Sequence, residues 1–112
     1  TSGRLRIGFF DRAGDANLTY GYTLATETAA GSLAFTFTEL TTVRSDPTKN
    51  NRWFAGTIDP AFPFATTFIG DYSGIAATPA GGVVATWTDL RNEVTFAGRT
   101  GHGQDMYFAA AP

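Results

Sequence analysis

The sequence predicts an all-β fold. Thr, Ala, Gly and Phe dominate the 112 residues, while Lys occurs once and Glu three times. That balance suits pleated, half-buried surfaces and removes the usual material of exposed helices. Apolar and polar residues alternate in several short runs, the period-2 signature of strands with one covered face. No segment sustains a helical period, and the Ala-containing stretch Thr26 to Ala34 is interrupted by Gly31.

The first strand is expected over Arg4 to Asp11, where Leu5 and Ile7 alternate with Arg4 and Arg6. Turn formers follow from Asp11 to Asn17. Tyr20 to Thr26 forms a second strand with Tyr20, Tyr22 and Leu24 on one face, and Glu27 to Ser32 turns the chain, with Gly31 free to take a positive φ. Phe35, Phe37 and Glu39 alternate with Thr36, Thr38 and Leu40 in a third strand. From Arg44 to Gly70 the alternation stops: Asp46-Pro47, Asp59-Pro60 and Phe62-Pro63 forbid a regular helix and discourage a central strand. A long loop is expected there, with Trp53, Phe54, Phe62, Phe64 and Phe68 packing it onto a core edge. Strands resume at Gly74 to Thr78 and Val83 to Asp89, joined by the turn Pro79-Ala80-Gly81-Gly82. Arg91 to Gly103 is expected to be a loop, given Gly98, Gly101 and Gly103, and a last strand fits Asp105 to Ala110.

Composition narrows the functional classes. With 43% hydrophobic and 16% charged residues the chain is globular rather than disordered. Its net charge is −2 and its seven Arg are scattered, which argues against a nucleic-acid partner. The absence of cysteine excludes disulfides, thiolate zinc sites and Cys nucleophiles. The apolar runs are far short of the roughly 20 residues of a membrane-spanning helix, so no membrane partner is expected. The N-terminal Thr-Ser-Gly-Arg resembles neither a signal peptide nor a native start, as in a processed chain or a piece of a longer one. Asn17-Leu18-Thr19 matches a glycosylation sequon, relevant only to a secreted eukaryotic chain.

Two parts of the chain echo each other. Ile7-Gly8-Phe9-Phe10-Asp11-Arg12 followed by Tyr20 to Ala25 parallels Ala85-Thr86-Trp87-Thr88-Asp89-Leu90-Arg91 followed by Asp105 to Ala109. Each is a strand ending in an aromatic and an Asp, then a turn with Arg, then a Tyr-bearing strand ending in Ala. This resembles successive blades of the sialidase-like (BNR or Asp-box) β-propeller superfamily, whose blades often carry Trp-x-Asp and then Asp-x-Tyr-x-Ala. Here those are Trp87-Thr88-Asp89 and Asp105-Met106-Tyr107-Phe108-Ala109. Gly70-Asp71-Tyr72-Ser73-Gly74 looks like the start of a blade, and Thr26 to Phe35 like an Asp-box that has lost its Asp and been stretched.

The resemblance implies about two antiparallel blades of a propeller. Residues 1–43 would supply strands B, C and D of one blade, 44–70 the long loop, and 71–112 strands A, B and C of the next. Two blades cannot close a ring, so the remaining blades would come from the parent chain or from other copies, three copies giving six blades. The function it implies is that of a portion of a secreted propeller, serving in glycan binding or as an assembly scaffold and not catalytic on its own. The alternatives are the C-terminal piece of an active exo-sialidase, a glycoside hydrolase, and a structural subunit that builds rings or filaments.

The catalytic candidates come from the same resemblance. Tyr72-Ser73-Gly74-Ile75 is similar to the surroundings of the sialidase Tyr nucleophile, and Arg44 or Arg52 could supply the last Arg of the carboxylate-binding triad. A structural Tyr72, packed at the channel rim with its hydroxyl on backbone, is the competing expectation. Asp11, Asp71 and Asp89 occupy comparable strand ends or blade starts, where they could line a channel and hold Ca²⁺, or cap turns by accepting backbone N–H groups. No other cofactor and no resident metal is expected; Asp11 to Asn17 lacks the acceptor and Gly positions of a calcium loop. His102, the one histidine, lies between Gly101 and Gly103 and is expected in an exposed loop.

Overall fold

The computed structural model describes residues 3–16, 18–49, 72–96 and 99–112, and all strands below lie within them. The fold is all-β. Strands β1 (Arg6–Asp11), β2 (Gly21–Glu27) and β3 (Phe35–Glu39) form one antiparallel meander. Strands β4 (Gly74–Ala77), β5 (Val83–Asp89) and β8 (Asp105–Ala111) form a second, in the order β4-β5-β8. A short hairpin of β6 (Glu93–Phe96) and β7 (Arg99–His102) is inserted between β5 and β8.

That hairpin corrects the loop expected over Arg91 to Gly103. Its strands are four residues each, too short for alternation to register. The signal that could have revealed it is the β-branched content, with Thr95 and Thr100 paired across the ladder and their hydroxyls 2.7 Å apart. His102 is thereby a strand residue, half-buried, with its ring Nδ1 bonded to the Leu90 carbonyl; because a carbonyl only accepts, Nδ1 carries the proton. Of the long irregular stretch, the described part contains a bridge between Ser45 and Tyr20 and a 3₁₀ turn over Pro47–Lys49; the remainder, with the aromatics expected to pack it, lies outside the described residues, as does Asn17 of the sequon.

Pairing register decides which side chains meet. Phe10, Tyr22 and Leu40 share one row of the first sheet, on the face that meets the second sheet. From the second sheet come Ala85 and Trp87, backed by Tyr107 and Ala109. The Tyr22 and Trp87 rings stack with centroids 5.4 Å apart and planes 5° from parallel, and Phe10 meets Tyr20 and Tyr22 edge-on at 5.5 and 5.2 Å. This aromatic column is the core of the described structure, and the two meanders close face to face around it.

Gly8 makes the column possible. A Cβ there would lie 2.5 Å from the Tyr22 hydroxyl and 2.9 Å from its ring, and Tyr22, pinned against Trp87, has nowhere to go. Gly8→Ala is expected to cost about 1–3 kcal/mol through overpacking, read as a lower urea midpoint with an unchanged m-value.

At the opposite end of β2, Glu27 is buried although charged. Its Oε2 accepts the Leu5 N–H at 3.0 Å and its Oε1 the Leu33 N–H at 2.9 Å. These backbone donors, joined by those of Gly31 and Ser32, hold its carboxyl below the usual range against the opposing effect of burial. The second bond also secures Leu33, which has a φ of +53° that a branched residue seldom adopts. Gly31, at φ +75°, takes the positive φ the sequence leaves open to it.

Candidate functional site

The strand ends carrying the two echoing aspartates are built alike. Each carboxylate accepts the backbone N–H two residues on: Ala13 N–H donates to Asp11 Oδ1 at 2.6 Å, and Arg91 N–H to Asp89 Oδ1 at 2.8 Å. This is the local turn chemistry that Asp offers where a strand must stop. Each carboxylate also faces an arginine, but the two arginines come from different places in the chain.

Asp89 is fully buried and bound bidentately by the residue that follows its turn. Arg91 Nε donates to Oδ1 and Nη2 to Oδ2, both at 2.8 Å, and the Trp87 indole N–H adds a bond to Oδ2 at 3.2 Å. Burial opposes ionisation of Asp89, yet these donors outweigh it and hold its carboxyl below the ordinary range. Arg91 also lies over the Tyr107 ring, 4.0 Å from its centroid, and donates from Nη1 to Thr42 Oγ1 at 3.0 Å. The Tyr107 hydroxyl bonds Asn92 Oδ1 at 3.2 Å, and Asn92 Nδ2 bonds Asp105 Oδ2 at 2.8 Å, so the network runs from β5 to the first residue of β8.

Asp11 accepts the Thr23 hydroxyl at 2.6 Å, which together with the Ala13 N–H and the Arg44 charge holds its carboxyl below the ordinary range. Arg44 Nη2 donates to the Asp11 carbonyl at 2.8 Å, its Nε to Thr19 Oγ1 at 3.1 Å, and its Nη1 pairs with Glu39. The Thr19 hydroxyl bonds the Asp15 carboxylate in turn. A Cβ at Gly14 would lie 2.8 Å from the Arg44 guanidinium, so a larger residue there would push the end of this arginine aside.

One short segment, 41–45, joins the two ends. Thr41 Oγ1 accepts the Tyr22 N–H at 2.6 Å, Thr42 meets Arg91, Arg44 meets Asp11, and Ser45 exchanges two backbone bonds of 2.9 Å with Tyr20. The buried Ser45 hydroxyl then accepts the Leu90 N–H at 2.9 Å, directly beside Asp89. The Tyr20 hydroxyl points to the Thr88 carbonyl at 3.4 Å, and burial, helped by the Asp89 charge and opposed by the Ser45 hydroxyl, pushes its pKa up to about 12. Residues 41–45 are thus a polar clasp across both sheets.

Chemically, the clasp binds charge in place. The Asp11 and Asp89 oxygens are engaged by protein donors and both groups stay ionised, so neither is poised to exchange a proton. Among the described residues no three His, Cys, Asp or Glu side chains come together as a metal ion would need. Of the described candidates, Arg44 meets Asp11 and is committed to it, Glu39 and Thr19, Asp89 lies at the other end of the clasp, and Tyr72 is 81% exposed; Arg52 and Asp71 lie outside the described residues. Arg91, Thr42, Ser45 and Glu27 also hold the architecture, and none of them is among the sequence candidates. Only Arg91 had a local signal, an Arg two residues beyond a strand-ending Asp.

No family model, no curated protein and no solved structure matches the chain.

Proposed function

We propose that the chain is a two-blade segment of a larger sialidase-like β-propeller and works as an assembly scaffold, each copy docking head to tail on the next. The observation that carries this is the face equivalence produced by the internal echo. With Asp11 matched to Asp89 and Ala25 to Ala109, the row Ile7, Phe9, Ala25 corresponds to Ala85, Trp87, Ala109, while Tyr22 and Leu24 correspond to Met106 and Phe108. Within the chain the Tyr22 face of the first sheet packs on the Trp87 face of the second. The remaining two faces are therefore the same complementary pair, one at each end of the molecule.

Each of those faces carries exposed apolar side chains. Ile7 is 48% and Phe37 67% exposed on the first sheet; Met106 is 62% and Phe108 74% exposed on the second. Large apolar side chains exposed on a sheet face suit an interaction site, and a head-to-tail contact between unlike faces generates rings when its rotation closes. Three copies would supply six sheets. The commitment of Arg44 to its own sheet favours a scaffold over hydrolysis.

Sedimentation velocity across a concentration series tests it. The chain is expected to sediment as multiples of its 11.9 kDa mass. Phe37→Lys and Phe108→Lys should each abolish higher assemblies, and an equimolar mixture of the two should recover dimers only, because one intact contact remains. A folded monomer at every concentration, shown by circular dichroism, refutes the scaffold.

A further inference from the structure

We propose that Met106 is an oxidative modification site that controls assembly. A hydroperoxide converts its thioether to the sulfoxide while the outer face of the second sheet is free, and the sulfoxide then blocks docking of the next copy. This rests on the head-to-tail reading above and adds its regulation. Met106 is the one methionine, and with no cysteine present it carries the only sulfur of the chain.

Register places that sulfur in the contact. Met106, Phe108 and Ala110 are the exposed positions that alternate along β8, and Met106 lies opposite Thr88 and Phe108 opposite Thr86 on β5. No β4, β5 or β8 residue on that face is charged. By the internal echo Met106 takes the place of Tyr22, whose ring stacks on Trp87, and Phe9 takes the place of Trp87. A contact built like the one within the chain therefore sets the Met106 thioether on the Phe9 ring of the next copy, which Phe37 meets edge-on at 6.4 Å. A thioether suits that place, because it is apolar, adaptable and favourable against an aromatic ring.

Oxidation reverses the preference. A sulfur lone pair attacks the terminal oxygen of the hydroperoxide, and the S–O bond forms as the O–O bond breaks. The departing oxygen takes the proton of the transferred one and leaves as water or an alcohol; sulfur gives up two electrons and the peroxide gains them. The sulfoxide oxygen is a hydrogen-bond acceptor, and the row around Phe9 offers it no donor. Thr23 and Glu39 flank Phe9 in that row; the Thr23 hydroxyl donates to Asp11, and the Glu39 carboxylate, paired with Arg44, only accepts. Burying a polar group without a partner disfavours the docked state. The coupling is reciprocal: docking covers the sulfur, so assembly protects Met106 just as oxidation opposes assembly.

The experiment is sedimentation velocity of the full chain over a concentration series, before and after treatment with hydrogen peroxide, with the added oxygen assigned to Met106 by mass spectrometry. The oxidised chain, still folded by circular dichroism, should need at least about tenfold higher concentration to assemble. Methionine sulfoxide reductases should restore the parent's behaviour, and Met106→Leu, which has no sulfur, should sediment alike with and without peroxide. Met106 should also oxidise more slowly above the concentration at which the chain assembles than below it. A reduced chain that is monomeric at every concentration defeats the head-to-tail reading and the switch with it. A reduced chain that assembles, beside an oxidised one that assembles equally well, overturns the switch alone. So does unfolding on oxidation, a loss that the reductases do not reverse, a peroxide effect that survives in Met106→Leu, or an oxidation rate indifferent to assembly.

Discussion

Trp87→Ala is expected to leave the protein unfolded or barely folded. Trp87 is fully buried, stacks on Tyr22 and donates its indole N–H to Asp89, so its removal opens a cavity at the contact between the sheets and deprives a buried carboxylate of a donor. Truncating a buried Trp costs about 3–5 kcal/mol, and a domain of this size has only about 5–15 kcal/mol in hand. Trp87→Phe keeps a ring against Tyr22 but loses the indole bond and part of the ring volume, so its cost should be smaller than that of Trp87→Ala, about 1–3 kcal/mol. Urea denaturation followed by far-ultraviolet circular dichroism measures both. A Trp87→Ala variant as stable as the parent would remove the aromatic column from its place as the core.

Asp89→Asn carries the second large effect, and its signature is in the pH dependence. The substitution keeps the shape but removes the charge facing Arg91, and uncoupling a buried ion pair by removing one partner costs about 2–4 kcal/mol when the survivor retains some contact with water. The sign follows from the direction of the shift. Because the Asp89 carboxyl is held lower in the folded protein than in the unfolded chain, its contribution is fully present above the unfolded value near 4 and is lost as pH falls through the folded one. The stability gap between parent and Asp89→Asn should therefore be widest at neutral pH and narrow below about pH 4. Asp11, Asp15, Asp46 and Glu27 shift in the same direction, so the parent itself should lose stability in acid. A gap that stays constant from pH 7 to pH 3 would show that the Asp89 charge contributes nothing.

Strands with long alternating runs were the legible part of the fold. Leu5 and Ile7 against Arg4 and Arg6, or Phe35 and Phe37 against Thr36 and Thr38, announce their period within the strand, and β1 to β5 and β8 fall where that period places them. The hairpin of β6 and β7 was not legible, since four residues span only two repeats and the surrounding glycines suggest a loop. His102 was misplaced for the same reason.

The candidate site divides along the same line. That Asp11 and Asp89 cap turns follows from chemistry within two residues and could be weighed from sequence. That Arg44 belongs to Asp11, 33 residues away, and that Ser45 reaches Leu90, 45 residues away, could not.

The sequence by itself determined the secondary structure class, the echo between the two halves and the strand-ending aspartates, because each depends on neighbours along the chain. Tertiary structure decided the partners. It placed Tyr22 on Trp87, drew residues 41–45 across both sheets, and turned the apolar side chains Ile7, Phe37, Met106 and Phe108 outward. Period and turn chemistry are local and leave a pattern in the chain; which face meets which is a choice among non-local contacts, settled by registers and packing that no short stretch of sequence encodes.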